Sequence, residues 1–133
     1  MKPEELLYAE THEWTSVSQD AGTKVATVGI SAFAVEALTD LVFIQLPEVG
    51  QQVTAGEPFG EIESVKAVSD LYSPVDGQVI AVNEKLPDNL DVLGEDPYSQ
   101  GWMVRIRVSD ESSLANLMDL AAYRKQCAEE GEH

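Results

Sequence analysis

One lysine occupies the position in this chain that is best suited to covalent chemistry. Lys66 lies between two short β-prone runs, in residues 61–70 (EIESVKAVSD), which predicts a hairpin whose turn spans about residues 64–67. That turn contains none of the Asn, Gly or Asp residues that usually form a tight reversal. Two interpretations remain open: an ordinary exposed lysine, or an amine held on a rigid tip so that an enzyme can attach a swinging cofactor arm to it.

The other reactive residues do not form a recognised catalytic or metal-binding pattern. Cys127 is the one cysteine and lies in an acidic terminal segment, which is the wrong environment for a nucleophile. His12 and His133 are far apart and do not make a ligand set with the scattered carboxylates. The acids of residues 88–96 lack the spacing, central Gly and closing Glu of a calcium loop. We therefore expect neither a catalytic residue nor a metal site.

The chain is strongly acidic for its size. Its 133 residues include 24 Asp+Glu and 8 Lys+Arg, giving a formal net charge of −16. Because nucleic acids and anionic lipids bind basic surfaces, we expect neither as a partner and expect partners with positive surface instead. No apolar run approaches the ~20 residues of a membrane span, and residues 1–5 (MKPEE) do not resemble a targeting segment. These features predict one cytoplasmic domain over residues 1–133.

Short β-prone runs follow one another through the middle of the chain, separated by Gly, Pro, Asn and Asp. The last run alternates clearly, with Trp102, Val104, Ile106 and Val108 on one face and two arginines on the other. Strands at this spacing, without long helices between them, predict a mainly β sandwich or barrel with its core over about residues 7–108. The predicted strands are 24–30, 41–46, 58–63, 67–72, 77–83 and 102–108.

Two helices are predicted beside these strands. Ser31 is a suitable N-cap for a short helix over residues 32–38. Asp110 is a suitable N-cap for a longer C-terminal helix over about residues 111–128. In that helix an apolar stripe that can dock on the sheet would consist of Leu114, Leu117, Met118 and Ala121.

Several stretches, taken in order, resemble the glycine cleavage system H protein family. The lysine turn, ESVKA at residues 63–67, resembles the lipoylation motif of that family. The resemblance covers about residues 7–123, nearly the whole chain. The other matching stretches are THEW at 11–14, VGI at 28–30, EALTDLVF at 36–43, LPEVG at 46–50, SPVDGQV at 73–79, DPY at 96–98 and GWM at 101–103.

The resemblance implies a lipoyl-domain-like barrel-sandwich hybrid of two small antiparallel sheets, in which Lys66 carries lipoate as an amide. In this family the lipoyl arm receives an aminomethyl group from the glycine decarboxylase P protein and delivers it to the aminomethyltransferase T protein. The dihydrolipoyl dehydrogenase L protein then reoxidises the arm, and a lipoate-attaching enzyme loads it at the outset. The resemblance therefore implies a carrier and not an enzyme. We expect a monomer, since a shuttle must enter several active sites.

Further site residues follow from the resemblance, one position at a time. Glu63 and Gly77 match positions that lipoate-attaching enzymes read. Glu13 and Asp70 match carboxylates that shelter the arm in a surface cleft, where they would hold a basic amine. Considered alone, the three acids are also ordinary surface acids, and Gly77 is also an ordinary turn glycine. His12 is predicted to be structural, packing beside the neighbouring tryptophan.

Related carriers remain as alternatives. They are an H-like lipoyl relay protein that donates lipoyl groups to other lipoyl domains, a 2-oxoacid dehydrogenase lipoyl domain and a biotin carrier. Biotin domains display Met-Lys-Met and the 2-oxoacid dehydrogenase domains Asp-Lys-Ala, whereas this chain has Val65-Lys66-Ala67. The absence of catalytic motifs argues against an enzyme, and the set of matching stretches argues against a purely structural β-domain.

Overall fold

The computed structural model describes the backbone of residues 3–38 and 40–131, so His133 lies outside the described part. The α-helices in it are α1 (Ala32–Leu38), α2 (Val92–Glu95) and α3 (Leu120–Gly131), and 3-10 helices cover Pro3–Glu5, Leu86–Asp88 and Glu111–Asn116. The strands are β1 (Leu7–Tyr8), β2 (Glu13–Asp20), β3 (Thr23–Ile30), β4 (Leu41–Gln45), β5 (Gln52–Val53), β6 (Pro58–Ser64), β7 (Val68–Tyr72), β8 (Asp76–Val82) and β9 (Val104–Asp110).

The strands form two antiparallel sheets. The larger sheet has six strands in the order β1-β2-β3-β9-β8-β5, and the smaller has three in the order β4-β6-β7. Each pairing between neighbouring strands is antiparallel. The prediction of a mainly β fold with two small antiparallel sheets, a short helix at 32–38 and a C-terminal helix is confirmed.

The hydrophobic core lies between the two sheets. Ile44, Ile62 and Leu71 come from the smaller sheet and are almost fully buried, together with residues such as Val28 and Ile106 of the larger one. Strand β9 alternates as predicted from Val104 to Val108, because its valines and isoleucine are buried while its arginines are exposed. On this strand the alternation places Arg105 and Arg107 on the face of the larger sheet opposite the core. The predicted member Trp102 instead precedes the strand and packs against the separate cluster of Tyr8, Trp14 and Tyr123.

The long segment between β8 and β9 is not a loose loop. Leu86 and Leu93, which belong to its first 3-10 helix and to α2, are buried in the core. At its far end, the indole N–H of Trp14 donates a hydrogen bond to the carbonyl of Pro97 at 2.9 Å. The segment is therefore held to the sandwich by two buried leucines and by a backbone carbonyl that Trp14 contacts.

Strand β2 was absent from the sequence-based prediction, although it pairs with β3 along its whole length from Glu13↔Ile30 to Asp20↔Thr23. Its sequence, EWTSVSQD, is mostly polar, so periodicity gave little signal. In the structure the turn Ala21-Gly22 joins the two strands with positive φ at both residues (53° and 83°), but only the glycine is a turn residue that the sequence shows. Two such residues in succession form the type I′ turn that favours a two-residue hairpin.

The predicted continuous helix over residues 111–128 is wrong in its first half. Asp110 does cap a helix, accepting a hydrogen bond from the Ser112 N–H at 3.0 Å, but that helix is 3-10 and ends at Asn116. Met118 then forms a β-bridge with Tyr8, with two backbone hydrogen bonds of 2.7 Å. Helix α3 begins only after this bridge. A long-range pairing thus replaces the apolar stripe that the local spacing predicted.

Candidate functional site

The lysine turn joins β6 to β7 where the sequence predicted it. The Ser64 N–H donates to the Ala67 carbonyl at 2.8 Å, and the Ser64 hydroxyl accepts from the N–H groups of Ala67 at 3.2 Å and Lys66 at 3.4 Å. Among the described residues, the non-glycine residues with positive φ are His12 and Ala21, so the turn does not use left-handed backbone. Ser64 therefore supplies by hydrogen bonding the stability that Asn or Gly usually supplies by conformation.

Two further features hold this turn in place while leaving its lysine accessible. The Val65 N–H donates to the carbonyl of Asp40 at 3.0 Å, which ties the tip to the residue before β4. Ser64 is buried, whereas Lys66 is exposed. The amine thus extends from an ordered base into solvent, where the active site of another protein can enclose it.

A cleft of about 180 Å³ lies between the start of β2, helix α1 and strand β7. It brings Glu13 and Asp70 together, although the first belongs to the larger sheet and the second to the smaller. The rest of its lining is mainly apolar. The other lining residues are Thr11, His12, Ile30, Phe33, Ala34, Ala37, Leu38, Ile62, Ser69 and Leu71.

Glu13 is a buried acid, and this burial changes its chemistry. Its side chain is 1% exposed; one carboxylate oxygen accepts from the Thr11 hydroxyl and the other from the Tyr72 N–H at 3.1 Å. Burial raises the pKa of Glu13 to about 7, and the hydrogen bonds from Thr11 and Tyr72 oppose the rise without cancelling it. The carboxyl group can therefore change its protonation state near neutral pH, and it would gain a counter-charge if a cation entered the cleft.

Asp70 differs from Glu13 because it is exposed. It lies on β7, an edge strand of the smaller sheet, opposite Glu61 of β6. The cleft thus combines one acid in its interior with one acid that solvent reaches freely.

His12 lies at the back of the same cleft and connects it to the C-terminal helix. Its Nδ1 lies 2.6 Å from the Tyr123 hydroxyl, its Nε2 lies 3.0 Å from a Glu130 carboxylate oxygen, and its ring stacks on Phe33. It adopts the left-handed φ of 82°. The predicted structural role agrees with these contacts, but the predicted neighbour was wrong, since its ring contacts are to Phe33 and Tyr123.

Tyr123 is a positioning residue that the sequence did not reveal. Its hydroxyl also lies 2.5 Å from the Ser31 hydroxyl, and Ser31 accepts a hydrogen bond from the Ala34 N–H at 3.2 Å as the predicted cap of α1. Burial raises the pKa of Tyr123 well above its usual range, so the phenol stays neutral. The helix that roofs the cleft is thereby anchored to α3 through one buried hydroxyl pair. No local pattern could have indicated a contact over this distance in sequence.

The two residues linked by resemblance to recognition occupy different sheets. Glu63 is half-buried on β6, paired with Phe43 of β4 and Val68 of β7. Gly77 lies in β8 and is not a turn glycine: a Cβ there would lie 2.1 Å from the Arg107 carbonyl oxygen. It therefore permits β8 and β9 to approach closely.

Other chemistry has little support in the described part of the chain. Residues 3–38 and 40–131 contain no group of three or more His, Cys, Asp or Glu side chains that could hold a metal ion. None of the helices in these ranges is long and apolar enough to cross a membrane. Cys127 is half-buried and packs against the cluster of Tyr8, Trp14 and Tyr123.

The raised pKa of Glu13 predicts a specific pH dependence of stability. The folded state holds this proton up to about pH 7, whereas the unfolded state loses it near 4.5, so the free energy of unfolding falls as pH rises through that interval. Glu13→Gln cannot ionise there. Between pH 5 and pH 8 we expect the unfolding free energy of wild type to fall by roughly 2 kcal/mol relative to that of the variant. Denaturant unfolding at both pH values measures this, with Glu61→Gln as the control for loss of one acid. A difference that does not change with pH would contradict the assignment.

Comparison with known proteins agrees with this arrangement. The family model described as Glycine cleavage H-protein matches residues 6–130. A glycine cleavage system H protein from Rhodopirellula baltica is 57% identical over 129 residues, covering 97% of each chain. One from Corynebacterium jeikeium is 48% identical over 92% of this chain and 94% of its own. The crystal structure of a glycine cleavage system H protein from Mycobacterium marinum superposes with a TM-score of 0.84 at 41% identity, covering 94% of this chain and 98% of its own. The chain therefore belongs to the glycine cleavage H-protein family.

Proposed function

We propose that this chain is the lipoyl-bearing carrier of a glycine cleavage system and that Lys66 is its attachment site. The observation that carries the proposal is an exposed lysine on a hydrogen-bonded turn, in a member of this family. As a carrier it would take an aminomethyl group from the P protein to the T protein and be reoxidised by the L protein. It would act in the cytoplasm as a monomer, without catalytic residues of its own.

The residues present fit an amide-linked lipoyl group. The exposed Lys66 amine can attack an activated lipoyl carboxyl group, losing a proton as the amide bond forms and the activating group leaves. The cleft lining includes Phe33, Leu38 and Ile62, which suit a hydrocarbon chain, next to two carboxylates, which suit an amine. When attached, the lipoyl group supplies the dithiolane that holds the cargo and exchanges electrons.

The two acids of the cleft would act on the cargo in different ways. A primary amine at neutral pH is a cation, and a cation near Glu13 favours the ionised form of this buried carboxyl group. Asp70, which is exposed, would add a second carboxylate without a cost of burial. Together the acids would hold the amine by charge-assisted hydrogen bonds, while the apolar lining keeps water away from the carbon that carries it.

The attachment site is tested by replacing the lysine. Lys66→Arg keeps the charge but offers no usable nucleophilic amine, so we expect complete loss of lipoylation and an unchanged fold. The measurement is intact mass and peptide mapping after expression with lipoate. Lys85→Arg is the matched control, since Lys85 is also exposed but lies outside the hairpin. Added mass that persists in Lys66→Arg would exclude this site.

Glu63 and Gly77 are the two residues linked to recognition by the lipoate-attaching enzyme. Measuring thermal stability and lipoylation in the same variants distinguishes a role in recognition from a role in folding. Glu63→Gln should slow lipoylation and leave thermal stability nearly unchanged, because Glu63 lies beside the lysine turn. Gly77→Ala should destabilise the fold by about 1–3 kcal/mol, because its new Cβ meets the backbone of β9. Lipoylation of Gly77→Ala should then recover at temperatures where it is fully folded. If folded Gly77→Ala stays unmodified, Gly77 is read directly by the attaching enzyme.

The sheltering role is tested on the isolated, loaded carrier. Glu13→Gln or Asp70→Asn should leave lipoylation of Lys66 unchanged and shorten the lifetime of the aminomethyl cargo. A charge-assisted hydrogen bond is worth roughly 1.5–3 kcal/mol, so the release of the methylene unit should accelerate by about ten- to a hundredfold, and by less for the exposed Asp70. Glu61→Gln, an acid opposite Asp70 that does not line the cleft, is the control. Lifetimes equal to wild type in both variants would mean that neither acid protects the cargo.

A further inference from the structure

Four exposed apolar side chains surround the lysine turn. Val65 is 68% exposed, Val68 60%, Val42 54% and Phe43 48%. The other exposed large hydrophobic residues in the described part of the chain are Val49, at 61%, and Val17, at 36%. We call the four residues Val42, Phe43, Val65 and Val68 the collar. A concentration of exposed apolar residues around one reactive side chain is unusual on the surface of an acidic protein.

A β-bulge makes this concentration possible. The register of β4 against β6 runs from Leu41↔Ser64 directly to Phe43↔Glu63, so Val42 is an extra residue on the β4 side. In a regular strand, successive side chains point to opposite faces, and one of Val42 and Phe43 would be turned into the core. The bulge lets both stay exposed. A bulge weakens the hydrogen bonding between β4 and β6 locally. The exposure of both Val42 and Phe43 therefore does not serve folding, and we look for its reason in binding.

The strand register also aligns the collar with the lysine turn. Glu63 pairs with Phe43 on one side and Val68 on the other, so these three residues form one row across the smaller sheet. Val65 stands at the tip beside Lys66, and its N–H is bonded to the Asp40 carbonyl. The lysine therefore rises from the end of an apolar surface whose backbone is fixed by hydrogen bonds.

The charges around the collar define the surface that fits it. Asp40 and Asp70 are exposed nearby and Glu63 lies within the row, so the apolar residues are bordered by carboxylates. A complementary surface has an apolar centre and a basic rim. Nucleic acid and anionic lipid are negatively charged, like the acids around the collar, and so do not supply a basic rim. A protein cavity can provide both an apolar centre and a basic rim.

We propose that the collar is the docking surface for the enzyme that attaches lipoate to Lys66, and that it fits an apolar, basic-rimmed mouth of that enzyme's active site. The proposal rests on Lys66 being the attachment site. The lysine amine stands only four methylene groups from its Cα, so an enzyme that acts on this atom must cover the residues around it. Enzymes that act on the end of a long arm can work from farther away.

The test uses the unmodified protein as the substrate of the lipoate-attaching enzyme. Val42→Ser/Phe43→Ser removes half of the collar from β4 and leaves residues 61–70 unchanged. We expect its KM to rise about tenfold with little change in kcat, equivalent to about 1.4 kcal/mol of binding, because the lost contacts serve docking and not chemistry. Mass spectrometry follows the modification, and calorimetric titration of each variant with the enzyme measures binding directly.

Val17→Ser/Val49→Ser is the matched control, since it removes two exposed valines elsewhere; Val49 is 61% exposed and follows β4 at the end of the sheet opposite the lysine turn. It should keep the wild-type KM, and melting curves should show both double variants folded at the assay temperature. Equal KM values for the two double variants would overturn the collar as a docking surface. Sedimentation showing a wild-type dimer that the collar variant dissociates, with KM unchanged, would also overturn it in favour of self-association. Failure of wild type to be modified at Lys66 would instead remove the proposed function.

Discussion

The hydrogen bond from the Tyr72 N–H to the Glu13 carboxylate, at 3.1 Å, is the interaction on which the site depends. It joins the first residue of β2 in the larger sheet to the last residue of β7 in the smaller one. A buried carboxyl group is costly unless its oxygens are paired, and here both oxygens have partners. The sheets therefore meet at a polar point whose geometry is fixed, and the cleft opens beside that point.

The cleft and the lysine turn place opposite demands on the same small sheet. The cleft requires Ile62, Ser69 and Leu71 to face inward, whereas the turn requires the next residues to project Lys66 into solvent. Ser64 separates the two requirements. Its buried hydroxyl holds the N–H groups of Lys66 and Ala67, so the side chain that it supports needs no contacts of its own to be positioned. The backbone of the turn is thus held by Ser64, while the lysine side chain extends into solvent.

The sequence predicted those parts of the fold whose causes are local. The lysine turn follows from two flanking β-prone runs, and helix α1 from the Ser31 cap and its apolar residues. The parts that were missed depend on distant partners. Strand β2 is too polar to be recognised without β3 beside it, and residue 118 leaves the helical conformation because it pairs with Tyr8. Gly77 illustrates the same limit, since the carbonyl that excludes its Cβ belongs to Arg107 on another strand.

The same reasoning applies to the site. Types and spacing pointed to Lys66, while the pairing of Glu13 with Asp70 came through family resemblance. Neither source predicted that Glu13 would be buried between Thr11 and Tyr72, and that burial gives its carboxyl group a pKa of about 7. Desolvation arises only when both sheets are assembled.

If Lys66 carries an amide-linked lipoyl group, as proposed above, the charge of the chain constrains how partners distinguish the modified form from the unmodified form. Forming an amide at Lys66 removes one positive charge, which changes the formal net charge from −16 to −17. A difference of one charge hardly alters a long-range field, and salt screens that field over about 8 Å at physiological ionic strength. Steering by net charge therefore brings partners to both forms at similar rates. Discrimination must therefore be local, at the collar that Asp40, Glu63 and Asp70 border, where the modification would replace an ammonium group by an apolar arm. An attaching enzyme can thus favour the unmodified form, in which the lysine cation balances these acids. Later partners can favour the modified form, in which a basic rim on the partner balances the acids instead.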